Sequence, residues 1–163
     1  MAAGSTPAIK ALTAAGIVHR VHAYAHDPRV SSYGEEAVDA LGAELGVRPE
    51  QILKTLVIEL STGVLAVAVL PVPAKLSLKA AAAALGAPKA ALADKTKAER
   101  TTGYVLGGVS PLGQRKKLAT VLDESALGWE RVLCSAGRRG LEIELAPADL
   151  VRASDAVTAA IVG

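Results

Sequence analysis

Phenylalanine is absent from this sequence, and tryptophan, methionine and cysteine each occur once. With only three tyrosines beside them, the composition weighs against a surface of successive aromatic platforms for stacking nucleic-acid bases. The core must be built from Leu, Val, Ile and Ala instead. A lone Cys134 cannot close an internal disulfide and fits a reducing compartment. It also leaves the common cysteine-based zinc patterns incomplete. Long apolar runs are missing: Val64 to Val72, ended by Pro73, is too short to cross a bilayer as a helix. The opening MAAGSTPAIK lacks a basic flank, an apolar run and a cleavage site, so secretion is not expected and the cytoplasm is the expected location. No repeat of solenoid period is present.

What is there suits one complete domain spanning residues 1–163, with its own core. Hydrophobic residues make up 51% of the chain, and the mean hydropathy of +0.35 owes much to alanine. A net charge of +2 is too small to establish nucleic-acid binding. The dense basic groups are Arg115-Lys116-Lys117 and Arg138-Arg139, both after glycine-containing turns. Either cluster reads as a solvated surface or as a phosphate contact.

Along the chain, Thr6 is placed to cap a helix with Pro7 in its first turn, Ile9 and Leu12 on one face and Gly16 beyond its end. Ile17 to Tyr24 alternates as a strand, with His22 and Tyr24 opposite Val21 and Ala23. A helix is expected over Glu35 to Leu45, stopped by Gly46. Pro49-Glu50-Gln51 opens as a second helix start and leads into LKTLVIEL, which forms a hairpin with VLAVAVL about Thr62-Gly63. Ser77 heads an alanine helix to Leu85, and a short helix covers Asp94 to Arg100. Strands are expected at Leu118–Leu122, Arg131–Ser135 and Leu141–Leu145, then a helix from Pro147. Glu142 and Glu144 share one face of their strand, expected to be a wet one. Helices mixed with hairpin-like strand pairs give an α/β class with a mixed sheet.

Among residues able to carry chemistry, Lys54 interrupts the apolar run ILKTLVI. A lysine there either snorkels along its stem or faces a cleft, where it can hold a phosphate, a ribose oxygen or a developing negative charge. Thr55 follows it. In GGVSPLG, Gly107 to Gly113, glycines allow close backbone approach, and successive amides can form an anion-binding hollow or simply a tight turn. The loop has neither the spacing nor the ending of the nucleotide phosphate-binding loops. His19, His22 and His26 invite a metal reading, but strand and turn lie between them, so structural or surface roles are favoured; Asp27 is expected to bond nearby backbone amides. Cys134 sits in a strand as a small hydrophobe, and Ser135 opens the glycine-bearing SAGRRG turn. No Ser-His-Asp set is compelling, and no cofactor or metal is called for.

Taken in order, TPA, HxYxHDP, LKTL, AVxPV, TTGYVLGGVSPLGQRKK and SAGRRGLEIEL closely resemble the YbaK/EbsC proteins. These belong to the superfamily that includes the editing domain inserted in bacterial prolyl-tRNA synthetase. The resemblance runs from about Thr6 to about Ala153. It implies a compact α/β domain with a mixed, partly barrel-like sheet flanked by helices, acting in trans as an aminoacyl-tRNA deacylase. It also implies a substrate, cysteine mischarged on tRNA(Pro), with prolyl-tRNA synthetase as a candidate partner and no membrane. Cysteine is close enough in size to proline that a synthetase pocket excludes it poorly, the circumstance that calls for a second hydrolytic site.

By the same resemblance Lys54 holds the terminal adenosine or its phosphate and favours charge developing at the ester. The Gly107–Gly108 backbone contacts the carbonyl or amino end. Tyr24, Tyr33 and Ser135 shape the aminoacyl pocket, with Ser110 and Pro111 matching the family's glycine-to-proline loop. Beyond the resemblance, Thr55 is a further candidate substrate contact, and the basic clusters Arg115, Lys116, Lys117, Arg138 and Arg139 are expected around one cleft mouth for RNA. The mechanism suggested for this branch has the substrate thiol attack its own ester carbonyl, so proximity supplies much of the rate. Two features depart from the pattern: Tyr33 stands where Phe is common, and Asp39 to Gly46 is a few residues longer. Alternatives are an alanine- or serine-specific deacylase using an activated water, or a noncatalytic tRNA-binding partner of the synthetase.

Overall fold

The computed structural model describes residues 6–163. Helix α1 (Pro7–Ala14) begins where the sequence places it. Thr6 accepts a hydrogen bond from the Ile9 amide and donates one of 2.6 Å to the Ala136 carbonyl, so the cap also ties the helix to the sheet. Its buried stripe is Ala8, Ile9 and Leu12. Strand β1 (Arg20–Ala23) is shorter than the alternating run. Helix α2 (Tyr33–Leu45) starts two residues before the expected Glu35 and ends at Gly46 in the left-handed conformation.

Pro49–Gln51 makes a single 3₁₀ turn rather than a longer helix, and the chain enters β2 (Leu53–Leu60) at once. This strand and β3 (Leu65–Pro71) form the expected hairpin, in which Lys54 faces Leu70 and Thr55 faces Val69. Helix α3 (Leu78–Ala84) is capped by the Ser77 hydroxyl, which accepts from the Ala80 amide. Strand β4 (Ala90–Leu92) and the Asp94-capped helix α4 (Lys95–Thr102) precede the glycine loop. Strands β5 (Ala119–Asp123), β6 (Val132–Arg138) and β7 (Leu141–Leu145) follow, then α5 (Pro147–Ser154) and β8 (Val157–Ala159).

The strands form a mixed five-stranded sheet, β4-β2-β3-β5-β8, and an antiparallel three-stranded sheet, β1-β7-β6. An isolated parallel bridge between Ile52 and Leu133 joins the two. One apolar cluster lies between the sheets and under α1, uniting Val67 and Val69 with Ile143, Leu145 and Cys134. A second packs Ile58, Ala66, Ala68 and Val121 beneath Ala81 and Ala82 of α3. Alanine on both surfaces lets that helix sit close. All seven residues of β3 are buried, as befits a central strand covered on both faces. A third cluster places Ala37 and Leu41 of α2 on Ile52 and Leu133.

That last layer overturns one expectation. The face carrying Glu142 and Glu144 is not wet: the residues are 7% and 9% exposed. Alternation along β7 correctly separates the glutamates from Leu141, Ile143 and Leu145, but α2 and its neighbours cover the second face as well. Strand β6 also continues past Ser135 to Arg138 through a register shift, so the tight turn is confined to Arg139 and Gly140. Among the described residues no helix is long and apolar enough to cross a membrane.

Candidate active site

The first turn of α2, the start of β2, the glycine loop and the β6–β7 pair surround a cavity of about 280 Å³. Tyr24, Tyr33, Lys54, Thr55, Gly107 and Ser135 all line it, together with Glu35, Val72, Leu106 and Glu142. Residues far apart in the sequence thus meet at one hollow, and the lining among the described residues contains no histidine or cysteine.

Lys54 is partly buried. Desolvation holds its ammonium below the ordinary lysine range, with Glu35 acting in the opposite direction. Its Nζ donates to the Ala74 carbonyl at 2.5 Å, which leaves two N–H donors for a ligand. Beside it, the Thr55 hydroxyl oxygen is buried and makes no hydrogen bond within the described chain. An orphaned buried hydroxyl is costly and calls for an explanation.

Elsewhere in the lining the Tyr24 phenol is pushed up to about 12, chiefly by burial and further by Glu142 and Glu36, so it stays protonated as a hydrogen-bond donor. Glu142 is the functional candidate that sequence reasoning missed. Burial pushes its carboxyl up to about 8, and it lines the cavity. Alternation along β7 gave only the face Glu142 shares with Glu144; its pairing with Ser135 on β6, which brings it to the cavity, is set by the tertiary structure. Ser135 itself accepts a hydrogen bond from the Gly137 amide at 3.1 Å.

The glycine loop owes its composition to close packing. A Cβ on Gly107, whose φ is +85°, would lie 2.5 Å from the Tyr33 ring. One on Gly108 would lie 2.9 Å from the backbone nitrogen of Arg139. Ser110 and Pro111 are buried outside the cavity lining. The Ser110 hydroxyl accepts from the Leu112 amide, and its carbonyl accepts from Gln114, so this part of the motif shapes the loop from behind.

The basic residues divide. Lys117 pairs with Asp155. Arg115 reaches the Arg100 carbonyl at the end of α4, and Lys116 and Arg138 are exposed. Arg139 turns back onto the cavity wall, its guanidinium carbon 4.6 Å from the centre of the Tyr33 ring.

The histidines are engaged elsewhere. Nδ1 of His19 lies against the Ile17 carbonyl, Nε2 of His22 is 2.7 Å from Glu144, and Nδ1 of His26 is 2.7 Å from Glu36. Asp27 accepts from the Arg29 amide, the local turn expected of it. Cys134 is fully buried, and desolvation raises its thiol well above the ordinary range, so it is no nucleophile. Asp39 to Gly46 forms the far end of α2 and its cap, outside the cavity lining.

Residues 34–153 match the aminoacyl-tRNA editing domain, and the chain belongs to that family of hydrolase-type deacylases. Among its relatives is the Enterococcus faecalis (strain ATCC 700802 / V583) protein named "Putative Cys-tRNA(Pro)/Cys-tRNA(Cys) deacylase EbsC", 40% identical over 112 residues that make up 68% of each chain. In fold the chain is similar to a crystal structure described as "a putative trans-editing enzyme for prolyl tRNA synthetase", with a TM-score of 0.84 and 24% identity, covering 100% of this chain and 99% of that one. Hypothetical protein APE2540 superimposes with a TM-score of 0.82 at 26% identity, over 97% of this chain and 100% of the other.

Proposed function

We propose that this protein is a single-domain deacylase acting in trans, which frees tRNA(Pro) from mischarged cysteine with the help of the substrate's own thiol. The observation that carries this reading is the partly desolvated Lys54 ammonium, with N–H donors to spare, in a cavity sized for a small side chain and lined also by Tyr24, Thr55 and Ser135. Lys54 stabilises negative charge on the ester carbonyl oxygen as the thiolate attacks. Thr55, Tyr24 and Ser135 orient the aminoacyl group, and the Leu106–Gly107 segment closes the wall beside it. The substrate thiol gives up its proton and attacks the carbonyl carbon to form a cyclic thioester; the bond to the ribose oxygen breaks, that oxygen takes up the proton the thiol released, and water then opens the thioester to free cysteine. Confinement of thiol and ester in one small space supplies the proximity such a reaction needs. The name of the Enterococcus relative supports cysteine as the amino acid. Arg115, Lys116 and Arg138 are the basic residues assigned to the tRNA backbone, and prolyl-tRNA synthetase is the proposed partner.

A second reading is favoured by Glu142. A buried carboxyl at the cavity wall that titrates at about 8 can, in its ionised form, serve as general base toward a water, as a substrate without a thiol, such as Ala-tRNA(Pro), would require; this route then gains rate as pH rises toward 8.

Deacylation of Cys-tRNA(Pro), Ala-tRNA(Pro) and Pro-tRNA(Pro) by wild type and Lys54→Ala tests both. The expected outcome is rapid loss of cysteine alone, slowed on the order of 10²–10³-fold in the variant. Preference for alanine, abolished by Glu142→Gln, establishes the water route instead. Unchanged turnover by folded Lys54→Ala removes the lysine from the site.

A further inference from the structure

Arg139 belongs to a basic pair that reads as an RNA contact, yet its side chain is engaged in the cavity wall. Its guanidinium lies over the Tyr33 ring, and its Nε–H donates a 2.8 Å hydrogen bond to the Leu106 carbonyl. The same ring abuts Gly107 so closely that a methyl group there would lie at 2.5 Å. Behind it, the His26 ring stands 5.9 Å away at a tilt of 46° and is held by Glu36. One planar cation therefore joins the β6–β7 turn, the glycine loop and the first residue of α2. These three elements share no backbone connection near the site, and they form the wall beside the aminoacyl position.

We propose that Arg139 is a positioning residue for deacylation: it clamps Tyr33 against the Leu106–Gly107 backbone and so sets the width of the aminoacyl cavity. This rests on the deacylase reading above. The guanidinium is suited to the task because its flat face stacks on the ring while an in-plane N–H reaches the carbonyl. A lysine ammonium is a point charge without that plane and cannot do both. Releasing the clamp leaves Lys54 and Thr55 in place but frees the facing wall. Misplacement of a reacting group by about 1 Å can cost on the order of 10²-fold in rate.

The test compares wild type, Arg139→Ala, Arg139→Lys, Tyr33→Ala and the Tyr33/Arg139 double alanine variant on Cys-tRNA(Pro), with tRNA affinity measured separately by filter binding. For Arg139→Ala we expect kcat to fall about 10- to 100-fold, with tRNA affinity and KM within about twofold of wild type. Arg139→Lys recovers little of the loss, and the double variant is no worse than Tyr33→Ala alone, since both substitutions remove one interaction. Weakened tRNA affinity with kcat retained makes Arg139 a phosphate contact and overturns the clamp, as do additive effects of the two substitutions. Failure of the deacylase reading is distinguishable, because wild type itself would then turn over no mischarged tRNA. The clamp is still decided by nitrogen-15 NMR in that case. The Arg139 Nε–H signal must be protected from exchange and must move in Tyr33→Ala; a freely exchanging signal that ignores the ring overturns it.

Discussion

Glu142 makes a pH-dependent contribution to stability that can be worked out from its surroundings. The residue is 7% exposed, and burial moves its titration from 4.5 to about 8. Between those values the folded chain keeps a proton that the unfolded chain has released. The unfolded state then binds fewer protons, so stability falls as pH rises through this window, by roughly 1 kcal/mol for each pH unit. From pH 5 to pH 8 the loss is on the order of 3–4 kcal/mol, a large part of the stability of an ordinary domain. Glu142→Gln keeps the shape and neutrality of the protonated acid and removes the linkage. Urea unfolding at pH 5, 6, 7 and 8 and constant ionic strength should show near-equal stability for the two proteins at pH 5. At pH 8 the glutamine variant should be the more stable by roughly 3 kcal/mol. Other carboxylates do not disturb the comparison. Burial pushes Glu144 upward, but hydrogen bonds involving His22 and Arg131 outweigh it and hold the group low. Glu36 is held low by His26 and then by the Asp27 amide. Both are present in each protein and cancel. Parallel pH curves would show that the carboxyl is solvated, and the argument from burial would fail.

The glycine loop and the basic residues allow two further tests. Gly107→Ala forces a side chain into the left-handed region and against the Tyr33 ring; it should destabilise the fold by about 1–3 kcal/mol in urea melts and depress deacylation well beyond that loss. Replacing Arg115, Lys116 and Arg138 together with alanine should weaken tRNA binding and flatten its dependence on salt, while kcat at saturating tRNA is retained. Unchanged binding at low salt would move the RNA-facing surface elsewhere.

The elements legible in the sequence are those whose signal is local. Thr6 with Pro7, Ser77 before an alanine run, Asp94, and Gly46 after α2 mark helix ends because capping involves only a few neighbouring residues. The β2–β3 hairpin was legible for a similar reason, as two apolar β-rich runs flank one glycine turn. Strands β4 and β8 were not. Each has three residues, one of them alanine-rich, and each exists only because a partner strand arrives from elsewhere.

The site follows the same division. The sequence by itself determined the family, through islands that pair a lysine in an apolar run with a glycine loop and a basic turn, and it identified Lys54, Tyr24, Tyr33, Gly107 and Ser135 as candidates. Tertiary structure alone decided that Glu142 is buried at the cavity wall, that the Thr55 hydroxyl has no partner, and that Arg139 faces Tyr33 while Lys117 pairs with Asp155. A two-residue period can say that Glu142 and Glu144 share a face, but what covers that face is set by how α2 packs across the small sheet. Burial and charge pairing are properties of such long-range contacts, and no local pattern in the chain encodes them.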